Sequence, residues 1–72
     1  MHIVSEELIA GHPAIEVRHF LRRYRFTDFY IEAAEDALVL SPRTSIILMN
    51  KLKGLGFVDE LGRNKWNAEL FG

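Results

Sequence analysis

The fold is decided by residues 41–58, which read SPRTSIILMNKLKGLGFV. Ser41 suits a helix N-cap because its hydroxyl can accept from a free backbone N–H, and Pro42 suits the first turn, where its missing N–H needs no partner. Gly56 can end the helix in the left-handed conformation. The sequence therefore predicts an α-helix over residues 42–55.

The two sides of this helix differ in chemistry, since successive helical residues project about 100° apart around the axis. The side that we expect to face the core carries Leu48, Leu52 and Leu55, flanked by Ser45 and Met49. The opposite side carries Arg43, Ile46, Asn50 and Lys53, with Ile47 and Gly54 at one edge and Thr44 and Lys51 at the other. Two isoleucines thus lie among polar side chains, and their presence on this side of the helix needs a physical explanation.

The N-terminal part is predicted to be a turn and a helix over residues 5–25. Ser5 can cap a short turn that runs to Ala10 and ends at Gly11, and a longer helix can start at Pro13. The apolar stripe of that helix is Ala14, Val17, Leu21 and Tyr24.

A second helix is predicted to begin after Thr27, which suits the N-cap position. Its inward residues are Tyr30, Ile31, Ala34, Ala37 and Leu38. A turn of about three residues then leads to helix 42–55, so residues 27–55 have the layout of a helix-turn-helix.

Residues 57–70 have the pattern of a β-hairpin. FVDE and KWNAEL are short enough for strands, and LGRN between them supplies Gly62 and Asn64 for the positive φ angles of a tight turn. Trp66 alternates with polar neighbours, so we expect its ring to point inward. With 72 residues, of which 49% are hydrophobic, the chain is predicted to be one globular α+β domain, residues 1–72, that is mostly helical.

The segment FTDFYIEAAEDALVLSPRTSIILMNKLKGLGFVDE, residues 26–60, resembles the helix-turn-helix of bacterial winged-helix transcription regulators. In those proteins a short helix, a turn and SPRT lead into a recognition helix that ends in L-x-x-L-G-F/L-V. The hairpin that follows looks like the wing. The resemblance implies a winged helix-turn-helix fold, three helices plus a C-terminal β-hairpin wing, and a small transcriptional regulator that binds double-stranded DNA.

The resemblance also implies which residues meet DNA, with helix 42–55 in the major groove and wing residues 61–65 on the DNA backbone. The DNA-binding residues would be Arg43, Thr44, Ile46, Ile47, Asn50 and Lys53 on the helix and Arg63, Asn64 and Lys65 on the wing. Arginine can bond guanine and asparagine can bond adenine bidentately, lysine can contact phosphate, and isoleucine can pack on a thymine methyl. Because isoleucine adds no charge, affinity per protomer should be low, which favours a homodimer that reads two half-sites.

The charges are distributed unevenly along the chain, although the formal net charge is -1. Residues 1–40 carry four basic and seven acidic side chains, whereas residues 41–68 carry five basic and two acidic ones. The predicted DNA-binding helix and hairpin therefore form the basic part of the chain. That agreement in sign supports the DNA hypothesis.

Ile46 and Ile47 are also compatible with two roles that do not involve DNA. They can form the wall of an apolar patch through which the third helix contacts another protein, either a second copy of this chain or a larger assembly. Alternatively, the wing or the N-terminal turn covers Ile47 and leaves Ile46 as an isolated surface residue.

Enzymatic, metal-binding and membrane functions find little support in the sequence. The chain has no cysteine, and the spacing of His2, His12 and His19 matches no familiar metal site, so no metal and no cofactor are expected. Glu16 and His19 can meet three residues apart on a helix, where a surface pair is far commoner than an acid-base device. No nucleophile has a positioned base nearby, so we predict that the protein is not an enzyme. In the absence of a signal-peptide pattern or an apolar run long enough for a membrane span, we predict a cytoplasmic protein without membrane contact.

Overall fold

The computed structural model describes residues 7–69, which form three α-helices, a three-stranded antiparallel sheet and a small N-terminal hairpin. In chain order the elements are β1 (Leu8–Ile9), β2 (His12–Pro13), α1 (Ala14–Arg23), β3 (Phe29–Tyr30), α2 (Ile31–Leu38), α3 (Pro42–Gly54), β4 (Asp59–Gly62) and β5 (Lys65–Asn67). α2 packs against both α1 and α3, and β5 is the central strand of the sheet. The predicted α+β class is confirmed.

Residues 8–13 form a β-hairpin, so the predicted helical turn up to Ala10 is wrong. β1 and β2 pair in antiparallel register on either side of a two-residue turn. Ala10 and Gly11 have φ angles of 51° and 80°, which a primed hairpin turn requires and a right-handed helix does not allow. The predicted cap of that turn, Ser5, lies outside the described residues.

α1 begins at Ala14, one residue later than predicted, because Pro13 has an extended ψ of 124° and is the N-cap. Its buried residues are Ala14, Val17, Phe20 and Leu21. Three of the four predicted stripe residues are thus confirmed as buried, and the fourth, Tyr24, is half-buried and packs against the core. Phe20 is absent from the predicted stripe, yet its ring packs edge-on against that of Phe29, with 5.1 Å between the ring centroids.

The predicted N-cap of the second helix, Thr27, is wrong, because β3 intervenes and α2 begins only after it. β3 pairs with β5 and places Phe29 opposite Trp66, and both are 3% exposed. Since this pairing joins distant parts of the chain, the local cap signals around Thr27 could not reveal it. Tyr30, predicted to point inward, is 57% exposed, and Ala37, also predicted inward, is exposed beside a groove between α2 and α1.

Residues 39–41 join α2 to α3, and this three-residue turn is as predicted. Val39 takes the left-handed conformation, with φ 54° and ψ 57°. The predicted capping by Ser41 is confirmed, since its Oγ accepts from the Thr44 backbone N–H at 3.2 Å. Beyond the end of α3, Gly56 has the predicted positive φ, 83°.

β4 and β5 form a C-terminal hairpin, as predicted. The first strand begins at Asp59 instead of Phe57 and includes Leu61 and Gly62 of the predicted connection, so only Arg63 and Asn64 remain in the turn. Asn64 has the predicted positive φ, 57°, but Gly62 does not, because it still pairs with β5 at a point where the strand register shifts. The inward position of Trp66 is confirmed by its burial. Residue 70, where the predicted hairpin ends, lies outside the described residues.

Candidate nucleic-acid interface

One side of α3 belongs to the core, and the other is open to solvent. The core side consists of Ser45, Leu48, Met49 and Leu52, each at most 1% exposed. Leu55 was expected there but is 48% exposed, because it follows the last helical residue and the chain then turns at Gly56. Val58, 2% exposed, fills the core beyond this turn instead.

The outer side of α3 carries the residues that periodicity predicts. Arg43, Asn50 and Lys53 are exposed, and Ile46 and Ile47 are 43% and 53% exposed. Neither the hairpin nor the described part of the predicted N-terminal turn covers Ile47, so the hypothesis that one of them buries it is wrong. Both isoleucines share the solvent-facing surface with the polar residues.

Thr44 takes part in the capping of α3 and also lies at the edge of its outer side. Its backbone N–H donates to Ser41 Oγ, and its Oγ1 accepts from the same hydroxyl at 3.0 Å. The side chain is half-buried, so only part of it reaches the outer side. These hydrogen bonds fix the first turn of α3 and with it the position from which Arg43 projects.

The tip of the β4–β5 hairpin is held against the start of α2. The Ile31 backbone N–H donates to the Asn64 carbonyl at 2.9 Å, so the tip does not project freely. Arg63 and Asn64 are exposed, and Lys65 is half-buried. Tyr30 pairs with Lys65 across the sheet, which puts an exposed phenol beside the basic tip.

The helical pattern that follows Thr27 predicts Tyr30 to lie inside a helix, so the sequence does not identify Tyr30 as a surface residue. The signal that could have found it is alternation: in a strand, successive side chains point to opposite faces, so a buried Phe29 requires an exposed Tyr30. Two consecutive aromatic residues are equally compatible with a helix, and only the pairing with β5 decides between them.

Two of the predicted DNA-binding cations lie beside carboxylates. Lys53 Nζ is 2.9 Å from Glu60 Oε1, and Lys65 Nζ is 3.8 Å from Asp28 Oδ2. Asp28 is held in place because its Oδ1 accepts from Asn67 Nδ2 at 2.8 Å. Exposed ion pairs of this kind are worth about 0–1 kcal/mol, so either lysine can exchange its carboxylate for another anion at little cost.

The two arginines of the outer surface differ from the lysines. Within residues 7–69, no ion pair involves Arg43 or Arg63. Both residues are exposed, and each guanidinium group has five N–H donors suited to paired acceptors.

No grouping of three or more histidine, aspartate and glutamate side chains in the described part of the chain could hold a metal ion. The predicted pair of Glu16 and His19 is wrong, because Glu16 Oε1 lies 3.0 Å from His12 Nε2, on the N-terminal side of α1. His2 lies outside the described residues. Among residues 7–69, no helix has the length and apolar content to cross a bilayer.

Comparison of the chain with protein-family models, with curated proteins and with solved structures gave no match. The candidate interface therefore rests on the geometry and chemistry of the residues themselves.

Proposed function

We propose that this chain is a winged-helix protein that binds double-stranded DNA, with α3 in the major groove and the tip of the β4–β5 hairpin on the phosphate backbone, and that it acts as a small transcriptional regulator. The observation that carries the proposal is the exposure of Arg43 and Asn50 on one side of a helix whose other side is anchored in the core. A reading helix needs this division, because base edges are recognised only by side chains held at fixed positions.

The dimensions of α3 suit the major groove. The groove is about 12 Å wide and admits an α-helix. Arg43 and Asn50 are two helical turns apart, roughly 10 Å along the axis, which equals about three base-pair steps. Arg43 can bond the O6 and N7 atoms of a guanine and Asn50 the N6 and N7 atoms of an adenine, while Ile46 between them can pack on a thymine methyl.

The hairpin tip supplies contacts to phosphate. Arg63 is exposed at the turn, and the Tyr30 hydroxyl beside Lys65 can donate to a phosphate oxygen. Lys53 and Lys65 can leave their carboxylates for phosphates. With about three cationic contacts, the slope of log affinity against log salt should be roughly -3, a modest dependence for a DNA-binding domain.

Fluorescence anisotropy tests the proposal at low and moderate salt, with labelled duplexes that have been selected by binding from a random library. Arg43→Ala and Arg63→Ala should each weaken binding about 5- to 100-fold, and Arg63→Ala should make the salt slope shallower by about one. Arg18→Ala is the matched control: it removes the same charge from α1, where Arg18 bonds Glu7 Oε1 at 2.6 Å, and it should leave affinity unchanged. Absence of binding at low salt, or an equal effect of all three substitutions, would overturn the proposal.

A second function, docking to another protein through α3, is favoured by the exposure of Ile46 and Ile47 together with the ion pair of Lys53. Ile46→Lys separates the two functions. If α3 binds DNA, the added cation should keep or raise affinity for random duplexes, whereas a protein contact made by the apolar side chain should be lost. Duplex titration measures the DNA affinity of this variant, and sedimentation shows whether it has lost a protein contact.

A further inference from the structure

The two lysines proposed to contact phosphate each lie beside a carboxylate that belongs to another element. Lys53 Nζ, at the end of α3, is 2.9 Å from Glu60 Oε1 of β4. Lys65 Nζ, in β5, is 3.8 Å from Oδ2 of Asp28, which precedes β3. Among residues 7–69, no ion pair involves Arg43, the arginine proposed to bond a base. The carboxylates thus accompany the two lysines and leave the base-reading arginine without an acidic neighbour.

The fold fixes the positions of both carboxylates. Glu60 lies in β4 opposite Trp66 of β5, whose ring is buried in the core. Asp28 Oδ1 accepts from Asn67 Nδ2 at 2.8 Å, and Asn67 Oδ1 in turn accepts from the Glu69 backbone N–H at 2.7 Å. Each acid therefore stays close to its lysine when DNA approaches, and it competes with phosphate for the same ammonium group.

From this arrangement we infer that Glu60 and Asp28 are internal competitors of DNA phosphate, which lower the affinity for duplexes of every sequence and leave discrimination between sequences to α3. The inference rests on the proposed function, since it concerns the regulation of the same surface. A phosphate that reaches either lysine must displace the carboxylate, and the displaced carboxylate then repels the phosphate at short range. Phosphate contacts carry no sequence information, so weaker phosphate contacts reduce binding to unrelated DNA without loss of base recognition.

The size of the effect follows from the exposure and the length of the two ion pairs. The side chains of Lys53 and Glu60 are 50% and 38% exposed, so solvent screens their attraction. Exposed pairs of this kind correspond to a change in affinity of about 2- to 5-fold. Glu60 should be near the upper end of this range and Asp28 near the lower end, because 2.9 Å is a hydrogen-bond distance and 3.8 Å is not.

Fluorescence anisotropy with two labelled duplexes, one selected by binding and one of random sequence, tests the inference. Glu60→Gln should raise the affinity for both duplexes by the same factor, about 5-fold, and Asp28→Asn should raise both by about 2-fold. Glu7→Gln is the matched control, because it removes the same charge from the ion pair with Arg18 of α1, and it should leave both affinities nearly unchanged.

The outcomes separate the inference from the proposed function. If the unmodified chain binds DNA but Glu60→Gln has no effect, or raises the affinity for one duplex only, or acts no more strongly than Glu7→Gln, the inference is wrong and the proposed function stands. If the unmodified chain binds neither duplex at low salt, both are wrong.

A second pair of variants distinguishes competition for the lysine from direct repulsion between Glu60 and DNA. If Glu60 acts through Lys53, Glu60→Gln should raise affinity much less in a Lys53→Met background than in the unmodified chain. An equal rise in both backgrounds would show that Glu60 repels DNA whether or not Lys53 is present, and it would overturn the role of Glu60 as a competitor.

Discussion

Val39→Gly is expected to stabilise the protein, although it removes a large apolar side chain. Val39 has φ 54° and ψ 57° in the turn between α2 and α3, and it is 88% exposed, so it contributes little to the core. The left-handed conformation costs an L-residue roughly 1–2 kcal/mol, and a branched Cβ makes it still less favourable. Glycine adopts this conformation freely, but it adds roughly 0.5–1 kcal/mol of conformational entropy to the unfolded chain.

The free energy of unfolding should therefore rise by about 0.5–1 kcal/mol, which corresponds to a rise in Tm of roughly 2–8 °C for a domain of this size. Thermal unfolding followed by circular dichroism measures the change. Val39→Asn should also raise Tm, because asparagine tolerates the left-handed region, whereas Val39→Ile keeps the branched Cβ and should leave Tm unchanged. A lower Tm for Val39→Gly would refute the argument that this turn is strained.

Two further predictions concern α3 and can be measured by urea titration. Leu52→Ala should lower the free energy of unfolding by roughly 2–5 kcal/mol because Leu52 is fully buried, whereas Leu55→Ala should cost less than about 1 kcal/mol because Leu55 is 48% exposed. Equal losses would contradict the position of Leu55 outside the core. Ser45→Ala should raise the free energy of unfolding by about 1 kcal/mol, because the buried Ser45 hydroxyl has no hydrogen-bond partner among the described residues. A decrease in the free energy of unfolding would show that this hydroxyl makes a hydrogen bond in solution.

The parts of the fold that the sequence predicts correctly are those whose cause is local. Ser41 and Gly56 mark the ends of α3 through interactions within one turn of the helix, and Asn64 marks the hairpin through its own φ angle. β3 depends on a partner strand that lies much later in the chain, so the segment around Thr27 carries a stronger signal for a helix cap than for a strand. Near the N-terminus, residues 8–13 pair as β1 and β2, although the weak local capping signal favours a helical turn.

The candidate interface likewise has features with a local cause, which the sequence predicts, and contacts between distant elements, which it does not. Helical periodicity places Arg43, Asn50 and Ile46 on one surface without knowledge of the rest of the fold. The ion pairs of Lys53 with Glu60 and of Lys65 with Asp28 join different elements, and they reduce the positive charge that the sequence attributes to this surface. A count of basic residues along the chain therefore overstates the number of cations that are free to meet phosphate.

The central position of β5 has a consequence for biosynthesis. β3 finds its partner only in residues 65–67, and the first N–H of α2, that of Ile31, finds its acceptor only in Asn64. A nascent chain that has not yet released these residues from the ribosome can form α1 and α3, but it leaves Phe29 without a strand to cover it. The three-stranded sheet therefore forms only after residues 64–67 have left the ribosome, however early the helices form.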